Sequence, residues 1–194
     1  LEEYLNFTNH HQAVKHFIQF ARTIYKQDKE IDYIEKIYNQ YDAKPILILY
    51  LRQATIFKIT NYLLKAENLE ALKCYRLIVQ NIRLYIESSF LSNTNANKYN
   101  GLLYKGALID DSTWEHLSNH VNKEIQIPEF LLTSKKEESV HDFLLHHQSE
   151  PGIKTMITII MPPLISKKEE GFVELNELSV PEYKDGVIFN LNSS

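Results

Sequence analysis

Cysteine is almost absent from this chain of 194 residues: Cys74 is the single one. One thiol excludes an internal disulfide framework and any cysteine-based zinc cage. Glycine is missing from the first hundred residues, and Pro45 is the only proline before Pro128. A segment so poor in helix breakers can run as long helices. Apolar runs are short: Pro45 to Leu51 is about a third of the roughly 18 residues a membrane span needs, so no span is expected. Neither GxGxxG nor GxxxxGK[ST] occurs, which removes the glycine-rich phosphate loops. Excess positive charge is lacking too. The net charge of −4 argues against nucleic acid as the main partner, since phosphate binding needs a basic face. The chain opens on Leu1 with no basic n-region or apolar h-region, as in a trimmed or mature product, and its composition fits a soluble cytoplasmic protein and a secreted effector alike.

What is present divides the chain in two. Residues 1–94 hold 12 Lys and Arg against 10 Asp and Glu, and residues 95–194 hold 9 against 15. All five glycines (Gly101, Gly106, Gly152, Gly171 and Gly186) lie in the second part. The asparagine-rich stretch from Ser92 to Lys98 has loop composition and marks the boundary. Residues 1–94 are therefore expected to form a helical N-terminal subdomain, and residues 95–194 an α+β core.

In the first part Val14, Phe17, Ile18, Ala21, Ile24 and Tyr25 recur at helical spacing, with Thr8 or Asn9 as cap. Ile31, Ile34, Ile37 and Tyr38 predict a second, shorter helix. A third begins near Pro45 and carries Leu49, Ile56, Ile59 and Leu63 on one face. After a break at Glu67-Asn68 a fourth carries Leu72, Tyr75, Ile78, Val79, Ile82 and Ile86. The tyrosines of these stripes are expected to pack, with their hydroxyls at the rim.

The second part changes period. Gly101 to Gly106 reads as a short strand, and Ile125 to Ile127 as another, ended by Pro128. Ser112 to His120 reads as a helix with Ser112 as cap and Glu115 at capping-box spacing. Ser139 to His147 is a further helix. Thr155 to Ile160 is a strand rich in branched residues, and Gly186 to Asn190 a last one. Short strands with a few helices, after an all-helical part, predict an α+β architecture.

Few residues offer chemistry on their own. Adjacent histidines at His10-His11 and His146-His147 point about 100° apart on a helix and do not chelate as pairs. His116 and His120 stand at i,i+4 but have no HExxH or third ligand beside them, so no metal site is expected. Cys74 reads as a packed thiol. The runs of two lysines and two glutamates at 135–138 and 167–170 read as solvated charge.

A spaced series remains: Tyr104-Lys105-Gly106 on one strand, Phe130-Leu-Leu-Thr-Ser134 running into a helix, then Ser179, Pro181 and Glu182 before Val187-Ile-Phe189. This order resembles the arginine-type mono-ADP-ribosyltransferases, whose motifs read Y-R-G, F-x-S-T-S, and E-x-E followed by V-L-F. Thr60 to Lys65 is similar to an L-N-x-A-L-R that recurs in the helical region before the catalytic core, and the resemblance spans roughly residues 45 to 190. It implies a helical region followed by a mixed or antiparallel split sheet. It also implies a cleft that bends NAD, with Tyr104, Lys105, Gly106, Phe130, Thr133 and Ser134 as cofactor-binding positions. In the family an arginine forks onto phosphate, a serine orients the ribose, and a glutamate stabilises an oxocarbenium-like charge. Here Lys105 stands at the arginine and Leu132 at the first serine. Lys184 and Gly186 stand at the two glutamates.

The resemblance therefore implies a degenerate member, a pseudoenzyme or binding module for a protein partner, with weak or absent NAD binding. An active transferase with an acceptor protein would need Glu182 or Asp185 as its catalytic carboxylate. An unrelated helical interaction domain with a small sheet is the remaining alternative.

Overall fold

The computed structural model describes residues 10–24, 32, 36, 43–52, 54–65, 69–92, 99–123, 125, 127, 129–161, 171–178 and 180–190. Ile31, Ile34, Ile37 and Tyr38 of the expected second helix, the Thr8/Asn9 cap, the boundary loop at 93–98, Pro128, Ser179 and the charge run at 167–170 lie outside them. The described architecture is α+β. Its six delimited helices are α1 (His10–Ile24), α2 (Ala43–Arg52), α3 (Ala54–Lys65), α4 (Leu69–Ser92), α5 (Asp111–Asn119) and α6 (Glu137–His146). Its strands are β1 (Leu102–Ile109), β2 (Leu131–Ser134), β3 (Ile153–Ile160), β4 (Phe172–Glu174) and β5 (Gly186–Phe189), with single 3-10 turns at Leu175–Leu178 and Pro181–Tyr183. The chain divides into compact units at 1–88 and 89–194.

In the first unit the apolar stripes become the core. Ala13, Phe17, Ile18 and Ala21 of α1 are buried, as are Tyr75, Ile78, Val79, Ile82 and Ile86 of α4 at three- and four-residue steps. The Phe17 and Tyr75 rings meet edge to face at 5.4 Å. One helix was expected from Pro45 to Leu63, but the structure has two, α2 and α3. The side chains explain why. Tyr50 Oη donates to Asn61 Oδ1 at 2.9 Å. Eleven residues along one straight helix would separate them by about 16 Å, so the pair requires a break between the two segments. Tyr50 is wholly buried and its hydroxyl is satisfied inside, not at a rim.

In the second unit the five strands form one antiparallel sheet, in the order β3-β1-β2-β5-β4. No parallel pair occurs among the described residues, so the mixed alternative falls away. The β1–β3 ladder runs from Leu102↔Ile160 to Ile109↔Ile153, through every residue of both strands. Between β1 and β2 the register is a single pair, Tyr104↔Ser134. The sheet is continuous there by its narrowest joint. One face carries the core of this unit, with Leu103, Leu131, Phe172, Val187 and Phe189 around Phe90.

Two local expectations are corrected. Ile125 and Ile127 are not in a strand; Ile127 packs against the core from a loop, so alternation there reflects burial rather than a ladder. The cap of α5 is Asp110, whose Oδ1 accepts from Thr113 N at 2.7 Å and from the Ser112 hydroxyl at 2.8 Å. Ser112 serves the capping carboxylate instead of being the cap. An ionised acceptor at the positive helix end does that task well.

Candidate functional site at the joint between β1 and β2

Directly opposed residues in antiparallel strands point to the same face. Tyr104, Ser134 and Gly186 therefore form one row across β1, β2 and β5, because Ser134 is registered against both of the others. Three motifs distant in the chain thus come to lie on three neighbouring strands. Lys105 and Thr133 belong to the opposite face, the one that carries the core. The positions of Lys105 on one side and of Leu132 and Gly186 on the other are therefore divided between the two faces of the sheet.

Each of the six cofactor-binding candidates has a definite surrounding. Tyr104 is half-buried. Lys105 Nζ lies 3.3 Å from Glu129 Oε1, with 16% of the lysine and 8% of the glutamate side chain exposed. Gly106 lies under α6: a Cβ there would come within 2.6 Å of Phe143 Cδ1 and 3.2 Å of Val140 Cγ1. Phe130 is fully buried. Thr133 is buried, and its hydroxyl donates to Val187 O at 3.0 Å. Ser134 Oγ accepts from Lys136 N at 3.0 Å, closing the turn that starts α6.

The carboxylate candidates stand outside the strands. Glu182 is exposed on the 3-10 turn at 181–183, not on an extended strand. Asp185 immediately precedes β5. Its carbonyl accepts from Lys135 N at 2.8 Å, and its Oδ2 lies 2.9 Å from Lys136 Nζ. Gly186 has its own constraint. A Cβ there would sit 3.0 Å from both Leu175 Cδ1 and Tyr183 O, tighter than ordinary van der Waals contact.

Around this row lie charges that sequence reasoning passed over, as with Glu129, or read as solvated, as with Lys135, which is instead paired. The only signal of Glu129 was a single acid set between Pro128 and Phe130. Lys135 is another centre: its Nζ lies 2.6 Å from Glu174 Oε2 and 4.8 Å from the centroid of the Tyr99 ring. Tyr99 Oη donates to Leu102 O at 2.7 Å. Burial, and after it the Tyr104 phenol and the Glu174 carboxylate, raise the Tyr99 phenol above its ordinary value. Burial, then Glu182, raise Tyr183 in the same way.

His116 and His120 stack at 4.1 Å, and the His120 Nδ1–H donates to His116 O at 2.7 Å. Among the described residues no three histidine, cysteine or acidic side chains gather into a metal-binding group, and no helix is long and apolar enough to cross a membrane.

The arrangement offers one nearly buried cation with a carboxylate partner beside an open joint in a sheet. It offers no acidic side chain at position 186. No family model, curated protein or solved structure compared with the chain matches it.

Proposed function

We propose that the second unit is an ADP-ribosyltransferase-like module whose dinucleotide cleft is degenerate, acting as a binding module rather than a transferase. The observation that carries this reading is the row Tyr104, Ser134, Gly186. A chance likeness of three short motifs gives no reason for them to meet on successive strands of one sheet. The single-pair joint between β1 and β2 adds support, since a nearly parted sheet is the kind of core the resemblance implies.

The chemistry is reduced at the same positions. Gly186 supplies no carboxylate for an oxocarbenium-like transition state, and Leu132 supplies no hydroxyl. Lys105 keeps a charge but lacks the planar fork of arginine. Losing one charge-stabilising group costs about 10²–10³-fold in rate, and losing a set that acts together leaves a small residue. The ligand of the module is accordingly a protein partner or a weakly held nucleotide such as NAD. An active transferase is the weaker reading, because Asp185 is held by Lys136 and Glu182 is exposed on a turn. An unrelated helical interaction domain leaves the alignment of the three motifs without a cause.

Titration of the ¹⁵N-labelled chain with ADP-ribose, followed by NMR, tests this reading. Shift changes clustered at residues 104–106 and 131–134 are expected. Changes confined to other residues overturn it; no change at millimolar ligand removes the nucleotide and leaves a protein partner as the ligand.

A further inference from the structure

The two outer strands of the sheet are unlike. β4 is three residues long and passes directly into the 3-10 turn at Leu175–Leu178. An edge so short offers another strand little to pair with. β3 is the opposite edge, and its ladder to β1 runs unbroken through all eight residues. It holds no proline or glycine, and Lys154 is its only charged residue. Bulges, prolines and charges are the usual devices that blunt an edge, and β3 has a single lysine. Parity fixes what this edge presents. Met161 N donates to Gly101 O at 3.1 Å, so the odd-numbered groups of β3 bond to β1. The N–H and C=O groups of Lys154, Met156, Thr158 and Ile160 therefore turn outward, and β3 pairs with no second strand among the described residues. Lys154 and Thr158 are exposed, and Ile160 is 76% exposed beside its partner Leu102.

We propose that this edge pairs with the β3 edge of a second copy of the chain, antiparallel about a two-fold axis at Ile157. A row of open backbone groups is matched by the backbone of another strand. Outward groups meet outward groups, so even-numbered residues oppose even-numbered ones. Of the registers that obey this, the one centred on Ile157 is the longest. It sets Lys154 against Ile160 and Met156 against Thr158, each twice by symmetry, and so pairs every outward residue of both copies. It also keeps the two lysines apart, about 20 Å along the strand. The stem of each lysine then covers the exposed Ile160 of the other copy. The edge is thus complementary to itself in length, parity and charge. Because β4 is too short to extend the sheet further, the assembly closes at two copies. This inference rests on the sheet alone and is independent of the nucleotide cleft.

Sedimentation equilibrium of the chain from micromolar to millimolar concentration tests the pairing. A monomer–dimer equilibrium is expected, with no larger species. Thr158→Pro deletes an outward N–H without touching the β1 ladder, and should weaken dimerisation by about 10-fold or more. Ile160 tests the register by sign. Ile160→Lys sets a lysine against Lys154 of the other copy, and Ile160→Glu sets a carboxylate there. With two such pairs per dimer, the first should dimerise about 2- to 30-fold more weakly than the unaltered chain and the second as much more tightly. Ile160 is exposed, so these two variants decide the matter if Thr158→Pro does not fold. Equal dimerisation by both charged variants overturns the register. A chain that stays monomeric throughout overturns the pairing, as does a dimer indifferent to all three substitutions. Species that grow beyond the dimer overturn its closure.

Discussion

Gly186 stands directly opposite Ser134 in the β2–β5 ladder, and the space a side chain would need at 186 is taken by Leu175 and the Tyr183 carbonyl. The position that the resemblance assigns to the catalytic glutamate is thus closed by packing as well as emptied of charge. Gly186→Glu is expected to gain no NAD turnover and to lower stability by about 1–3 kcal/mol, the range for forcing atoms into a packed site. Urea denaturation with a parallel assay of nicotinamide release checks both parts. Full stability together with new turnover would show the space to be free.

Gly106 is explained by close approach of a helix to a strand. Gly106→Ala should cost about 1–3 kcal/mol by overpacking. The cost should shrink when Phe143 is also changed to Ala, because the collision is with its ring. Denaturation of the two single variants and the double variant gives the coupling. An additive result would place the strain elsewhere.

The α5 cap separates two serine- and aspartate-based readings of the same segment. Asp110→Ala is expected to destabilise by about 1 kcal/mol, and Ser112→Ala by clearly less. The reverse order would restore Ser112 as the cap.

Much of this fold was legible because its elements carry strong periodic signals. Thr155 to Ile160 is rich in branched residues and lies within β3, and the Tyr75 to Ile86 stripe lies within α4. The less visible features depend on partners distant in sequence. Phe172 to Glu174 is too short to show alternation and exists as β4 through its pairing with β5. The break between α2 and α3 follows from where the Tyr50 hydroxyl finds Asn61, which no local propensity encodes. Ile125 and Ile127 alternate like a strand yet answer to core packing. The three motifs named from the sequence fall on or beside β1, β2 and β5. What their order could not give was parity: Lys105 and Gly186 lie on opposite faces, fixed by the single Tyr104↔Ser134 register. Nor could it give Glu129, a nearly buried carboxylate paired with Lys105.

Two phenols give the chain an alkaline signature. Tyr99 and Tyr183 both ionise above the ordinary value of 10.0 in the folded state. A group whose folded value is raised contributes stability that is fully present below the unfolded value and is lost as pH rises through the folded one. Stability should therefore decline from about pH 10 upward. Phenolate absorbance should show late-ionising groups that Tyr99→Phe and Tyr183→Phe each reduce. Titration of every tyrosine at the free-phenol value would contradict the burial of both.

The most direct test is an assay of nicotinamide release from saturating NAD by the unaltered chain, with Lys105→Ala and Thr133→Ala beside it. The degenerate-cleft account predicts release no faster than from NAD alone, with all three proteins alike. Turnover by the unaltered chain that either substitution abolishes would contradict it.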